Sequence, residues 1–297
     1  MQCNTGWRAL QLPGWHAHCA QPRAYEPGDS RMWLRTACEI QFHESVPAPF
    51  VLMLRPRSGK HQWVGRETYV LQPNVPAVEY TDAYGNLCQR LVSPPGAFLI
   101  RTSADVYVPD QGADATGAPF VEVQDLPDDA LTYLLPSRYC ESDRFLDMAW
   151  SIVGDAHPGY DQVARIEAWI REHVHFNPDS PHFQLSAVEL NQAREGVCRE
   201  FAHLGIALCR ALCVPARMAV GYLHGLQPMD FHAWFEAYVG GRWCVFDATQ
   251  PPGRRGRVTV AYGRDAADVA IYNQFGPPMY PTRISVTVDR LEGPPAV

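Results

Sequence analysis

No run of about eighteen uninterrupted apolar residues occurs in this chain, so the sequence offers no candidate membrane-spanning helix. Its opening residues lack a basic stretch followed by an apolar core, so no secretory signal is expected there. Basic charge is short as well. The 25 Lys and Arg stand against 32 Asp and Glu, a formal net charge of −7, which gives no footing to nucleic acid or an anionic membrane as partner. A regularly spaced, even set of cysteines is also missing. The nine present are scattered, which argues for reduced thiols in a cytoplasmic protein rather than a disulfide framework. Metal-ligand patterns are equally thin. Cys209 and Cys213 lie four apart on one expected helix, where small buried packing residues are the simpler reading. His43-Glu44 lacks the second histidine of a zinc helix, His16 and His18 lack further ligands, and nothing has the spacing of a calcium loop. No metal and no cofactor are expected.

What is present suits a globular protein. Hydrophobic residues at 46% and charged residues at 19% can bury a sizeable core, and 297 residues fit two domains. Residues 1–31 contain Pro and Gly without a period and read as a flexible leader or an upstream extension. From Met32 the pattern changes to short apolar runs, Trp33–Phe42, Phe50–Leu54, Gln62–Leu71, Leu87–Val92 and Phe98–Thr102, punctuated by turn residues such as Asp82-Ala83-Tyr84-Gly85-Asn86. Strands without intervening helices predict an antiparallel β-sandwich over 32–136. The remainder, 137–297, mixes both periods. Val163, Ile166, Ile170 and Val174 recur at helical steps, and His173 at that helix end complements the dipole. Ser186 and Glu189 form a capping box that predicts a helix over Ala187–Glu195, stopped at Gly196.

Three residues in this second half could act together. Cys198 falls in the first turn of a helix ending before Pro215, where free amides and the positive dipole end favour a thiolate and can also receive an oxyanion. Arg199 adds positive potential beside it. Asp230–Val239 and Arg242–Ala248 predict a hairpin closed by Gly240-Gly241. If Val239 faces Arg242, then Trp234 faces Asp247 and His232 faces Thr249, so Asp247 lies diagonally across the ladder on the face that carries His232. A loop one residue longer would break this juxtaposition. A thiol, an imidazole and a carboxylate in that arrangement have the makings of a nucleophile, a general base and a group that orients the base. The bland alternative is three residues that never meet. The basic stretch Gly253-Arg254-Arg255-Gly256-Arg257 reads as a solvated face, with reception of an acidic substrate as the alternative. The last strand, Arg283–Val288, alternates apolar and polar residues and is expected to finish the catalytic sheet.

The runs Gly196–Leu204, Cys209–Arg217, Asp230–Trp234 and Phe246-Asp247 together resemble the bacterial transglutaminase-like superfamily. Tyr262–Val269 is similar to a segment that follows the triad in those proteins. Met32–Arg101, with Leu54-Arg55-Pro56 and the Asp82–Asn86 turn, resembles the β-rich region that often precedes their core. The resemblance implies an α+β fold: an N-terminal antiparallel β-sandwich followed by a papain-like, transglutaminase-like catalytic core. It implies Cys198 as nucleophile, His232 as base and then acid, and Asp247 as orienter. Ala248 departs from the family pattern, where proline usually follows the aspartate. Gln192, six residues before Cys198, has the spacing of a papain-like oxyanion glutamine but falls inside an expected helix. Trp234 either walls the acyl site or belongs to the core.

The expected chemistry is acyl transfer from an amide through a Cys198 thioester. Release to water is the expected course, which makes the chain a cysteine peptidase or amidase acting on a peptide, protein or small amide. Release to an amine would make it a transglutaminase, and a non-catalytic binding module on the same fold is a third reading. The triad forms the thioester in either catalytic case, so its residues do not choose the acceptor.

Overall fold

The computed structural model describes residues 32–108, 115–178, 184–276 and 280–295, so the leader with its His16 and His18 lies outside the described residues. The first half is all strand: β1 (Met32–Glu44), β2 (Ala48–Leu52), β3 (Trp63–Gln72), β4 (Ala77–Thr81), β5 (Leu87–Ser93) and β6 (Gly96–Val108). Alternation decides which side each strand buries. In β1, Leu34, Thr36, Cys38, Ile40 and Phe42 are buried while residues between them face outward, and β2 does the same with Ala48, Phe50 and Leu52. The two inner faces meet where the Phe42 and Phe50 rings lie 5.0 Å apart. β4 is the strand that the sequence pattern did not reveal. All five of its residues are exposed, so it has no alternation to read.

The second half contains α1 (Asp128–Leu131), α2 (Leu146–Val153), α3 (Tyr160–His173), β7 (His175–Phe176), α4 (Ala187–Ala193), β8 (Glu195–Gly196) and α5 (Cys198–Ala211). Strands β9 (Ala216–Leu223), β10 (His232–Val239), β11 (Arg242–Phe246) and β12 (Arg257–Gly263) follow, and then β13 (Tyr272–Gln274) and β14 (Arg283–Leu291). One antiparallel sheet has the order β11-β10-β9-β12. Helix α5 crosses that sheet at close range. A Cβ on Gly205 would stand 2.5 Å from the Phe235 ring, so only glycine allows this approach. Arg210, 3% exposed, ties the core together from inside. Its guanidinium donates to the carbonyls of Leu135, Ala216 and Arg264 and to the Ser137 hydroxyl.

The chain is thus an antiparallel β-sandwich followed by an α+β core, with one correction to the expected strand order. The sandwich sheets are β14-β1-β6-β3 and β13-β2-β5-β4. The last strand does not finish the catalytic sheet: Val286 sits opposite Cys38 and Val288 opposite Thr36 in β1. The alternation in β14 is real, but alternation specifies a buried face and not the neighbour that covers it. Cys213 is a smaller correction. It lies beyond the end of α5, exposed, with φ of +58°, whereas Cys209 is buried in the helix. Among the described residues, no helix is long and apolar enough to cross a membrane.

Candidate active site

Cys198 is the first residue of α5, and it is half-buried while Cys38, Cys88, Cys140, Cys209 and Cys244 are buried. Burial pushes the Cys140 and Cys209 thiols far up and Cys38 up to about 12, which leaves these thiols protonated and inert. The helix start is closed by its own residues. The Glu200 carboxylate accepts the Val197 N–H at 3.2 Å, and Arg199 donates to the same carboxylate at 2.8 Å. The Arg199 charge is therefore compensated by Glu200 rather than presented alone to the thiol.

His232 opens β10, and the two-glycine turn sets what it meets. Gly240 and Gly241 both have positive φ, 58° and 77°, and Val239 pairs with Arg242 as the two-residue loop requires. The ladder runs to Phe235 opposite Phe246, and one step beyond it the diagonal contact forms. His232 Nε2 and Asp247 Oδ2 are 2.7 Å apart, with the residues 3% and 6% exposed. Nε2 is thus taken by Asp247, which leaves Nδ1 free for another partner, and Cys198 is among the groups that act on this imidazole. Burial works against charge on His232, but the hydrogen bonds to Asp247 and Cys198 and their charges outweigh it and lift the imidazole to about 9. Burial likewise opposes charge on Asp247, and the bonds from His232 and Arg257 win, holding the carboxyl well below the usual range. These partners favour the imidazolium form of His232 at neutral pH.

Asp247 is held from several directions. Its Oδ1 accepts the Thr249 hydroxyl at 2.8 Å and the Thr249 N–H at 3.2 Å. Its N–H donates to Glu167 at 2.9 Å, and its carbonyl accepts from Arg171 at 3.2 Å, so α3 clamps its backbone. Its Oδ2 also accepts Arg257 Nη2 at 2.7 Å. Here the expectation of a solvated basic stretch needs correcting: Arg255 is exposed and Arg254 half-buried, but Arg257 is 3% exposed and paired with the carboxylate. The missed signal was Val258-Thr259-Val260, a β-branched run that marks residue 257 as a strand entry rather than a loop.

The remaining sequence candidates separate. Trp234 is 1% exposed, with its ring stacked beside His232 at 6.1 Å, so it walls the base from within the core. Gln192 is exposed on α4. A cavity of about 500 Å³ opens beside Asp247, lined by Glu236, Trp243, Arg254, Arg257 and Tyr262 among others. Among the described residues, no group of three or more His, Cys, Asp or Glu is arranged to hold a metal ion.

This architecture has relatives. Residues 147–248 match the family model of the transglutaminase-like superfamily. The crystal structure of a proposed cysteine protease from Cytophaga hutchinsonii is 35% identical, with a TM-score of 0.82 over 88% of this chain and 91% of that one. An uncharacterized protein of Mycobacterium leprae is 24% identical over 229 residues, 73% of this chain and 82% of its own length.

Proposed function

Because the chain belongs to the transglutaminase-like superfamily, we propose that it is a thiol-dependent amide hydrolase in which Cys198, His232 and Asp247 form the catalytic triad. The observation that carries this reading is the buried 2.7 Å bond of His232 Nε2 to Asp247, with half-buried Cys198 at the first turn of α5 acting on the same imidazole. In the reaction, Cys198 Sγ attacks the amide carbonyl as a thiolate, its proton having passed to His232 Nδ1. The Cys198 N–H and the α5 amide end receive the oxyanion. The imidazolium then gives its proton to the leaving amine, and a thioester remains. Water, losing a proton to His232, attacks the thioester, the acid product leaves and the thiol is restored. Asp247 keeps the ring in one tautomer and steadies its positive charge through both halves. Arg199, tied to Glu200, contributes indirectly, and exposed Gln192 is not needed for the oxyanion.

Hydrolysis is preferred to amide formation because the 35% identical relative is described as a proposed cysteine protease. The substrate class is then a peptide, protein or small amide. We assign the cytoplasm as the compartment, supported by seven described cysteines that are all free thiols, and the residue blocks 32–136 and 137–297 as sandwich and catalytic domains, with β13 and β14 returning to the sandwich sheets. The test is brief iodoacetamide labelling near pH 6, followed by hydrolysis of a peptide library with a labelled primary amine in competition. Selective labelling of Cys198, lost in His232→Ala, and products carrying water rather than amine are expected. Amine incorporation exceeding hydrolysis would replace this reading with transamidation.

A further inference from the structure

We propose that Arg257 is a positioning residue for Asp247 and that the N-terminal sandwich holds it in place through Gln62. The inference rests on the triad reading above. Strand β12 is the outer strand of the catalytic sheet, and such a strand normally leaves a row of N–H and C=O groups unpaired. Here two side-chain amides from the sandwich act as the missing neighbour. Gln62 Nε2 donates to the Thr259 carbonyl at 2.7 Å while its Oε1 accepts the Thr259 N–H at 2.8 Å. Asn86 treats Tyr262 the same way, at 2.7 and 2.8 Å. Both amides are buried, and each reproduces the donor and acceptor pair of a strand residue. Gln62 also donates to the Arg57 carbonyl at 3.0 Å, which ties it to its own domain.

The two grips are not equivalent. The ladder between β12 and β9 shifts register between Thr259 and Ala261. Gln62 therefore holds the regular stretch that contains Arg257, whereas Asn86 holds the stretch beyond the irregularity. Arg257 in turn donates from Nη2 to Asp247 Oδ2, the oxygen that also receives His232 Nε2, and from Nη1 to the Arg254 carbonyl. Its guanidinium lies over the Trp234 ring at 5.7 Å. With Arg257 on one carboxylate oxygen and Thr249 on the other, the Asp247 side chain cannot turn, and Oδ2 stays in line with the imidazole. The charged groups facing this carboxylate are His232 and Arg257, while Glu167 and Arg171 from α3 engage its backbone.

Two readouts on the full-length chain test this. The first is the downfield proton resonance of the His232 imidazole, which needs neither substrate nor a reactive thiol. The second is the pH dependence of Cys198 alkylation. Arg257→Gln is expected to displace or broaden the resonance and to slow alkylation near pH 6 by about ten- to a hundredfold. Arg257→Lys should recover part of that loss, because the charge returns without the fork. Gln62→Ala should move both readouts in the same direction by a smaller factor, whereas Asn86→Ala should lower the unfolding temperature as much as Gln62→Ala and leave both readouts unchanged. A folded Arg257→Gln protein with the wild-type resonance overturns the role of Arg257. Equal effects of Gln62→Ala and Asn86→Ala overturn the role of the sandwich. If wild-type Cys198 labels no faster than the other cysteines, the acyl-transfer reading falls, and the resonance still decides whether Arg257 positions Asp247.

Discussion

His203 and His232 are both buried in the second half of the chain, yet one is held neutral and the other favours the cation. His203, 0% exposed in the middle of α5, donates from Nδ1 to the Leu185 carbonyl at 2.9 Å and accepts the Ala266 N–H on Nε2 at 3.2 Å. One donor and one acceptor satisfy a neutral ring, and Tyr139 stacks on it at 5.1 Å. Burial lowers its pKa, and the opposing pull of the Leu185 carbonyl, Asp265 and Glu200 does not reverse that. His232 is almost as deeply buried, yet its pKa rises to about 9 because its interactions with Asp247 and Cys198 favour the imidazolium and outweigh desolvation. Depth alone does not decide protonation. What the second nitrogen faces does.

The most direct way to break this contrast is Asp247→Asn, which makes the surroundings of His232 resemble those of His203. The imidazole should fall from about 9 to below its ordinary value of about 6.5, followed by NMR titration, and turnover should drop about ten-thousandfold. A pKa that stays near 9 would show that the thiol alone sustains the charge.

pH sharpens the contrast without a mutation. A raised folded-state pKa contributes stability that is fully present below about 6.5 and is lost as pH rises through about 9, an effect of about 3 kcal/mol. Urea unfolding at pH 6 and at pH 10 should therefore differ by that amount more in the wild type than in His232→Ala. Catalysis should decline over the same alkaline window, as the imidazolium that protonates the leaving amine disappears.

Replacing the neutral histidine, His203→Leu, should cost about 2 kcal/mol in chemical denaturation, because the Leu185 carbonyl and the Ala266 N–H lose their partner. It should leave the pH profile of Cys198 alkylation unchanged, and a shifted profile would join the two regions that the comparison separates. The smallest effect is expected beside it. Ser186 caps α4 by accepting the Glu189 N–H at 3.3 Å, and Ser186→Ala should cost about 1 kcal/mol, read as a lower unfolding midpoint with unaltered labelling.

Much of the site was legible along the chain for local reasons. Ser186-x-x-Glu189 announced α4 because a cap is built from residues three apart. Gly240-Gly241 set the hairpin register because a two-residue turn with positive φ at both positions permits one pairing, and that pairing brings His232 to Asp247. Arg257 was misread because a guanidinium carries the same letter whether solvated or paired, and its partner is ten residues away around a loop. β4 escaped because an exposed outer strand has no buried face to pattern, and β14 was placed in the wrong sheet because alternation does not name a neighbour.

Short-range physics thus let the sequence by itself determine the α+β order, the helix start under Cys198 and the hairpin carrying His232 toward Asp247. The return of β14 to β1, the grip of Gln62 and Asn86 on β12, the burial of Arg257 and the different protonation of two buried histidines were decided only in the tertiary structure. Each of these depends on groups far apart in the chain becoming neighbours, and on the desolvation that comes with it.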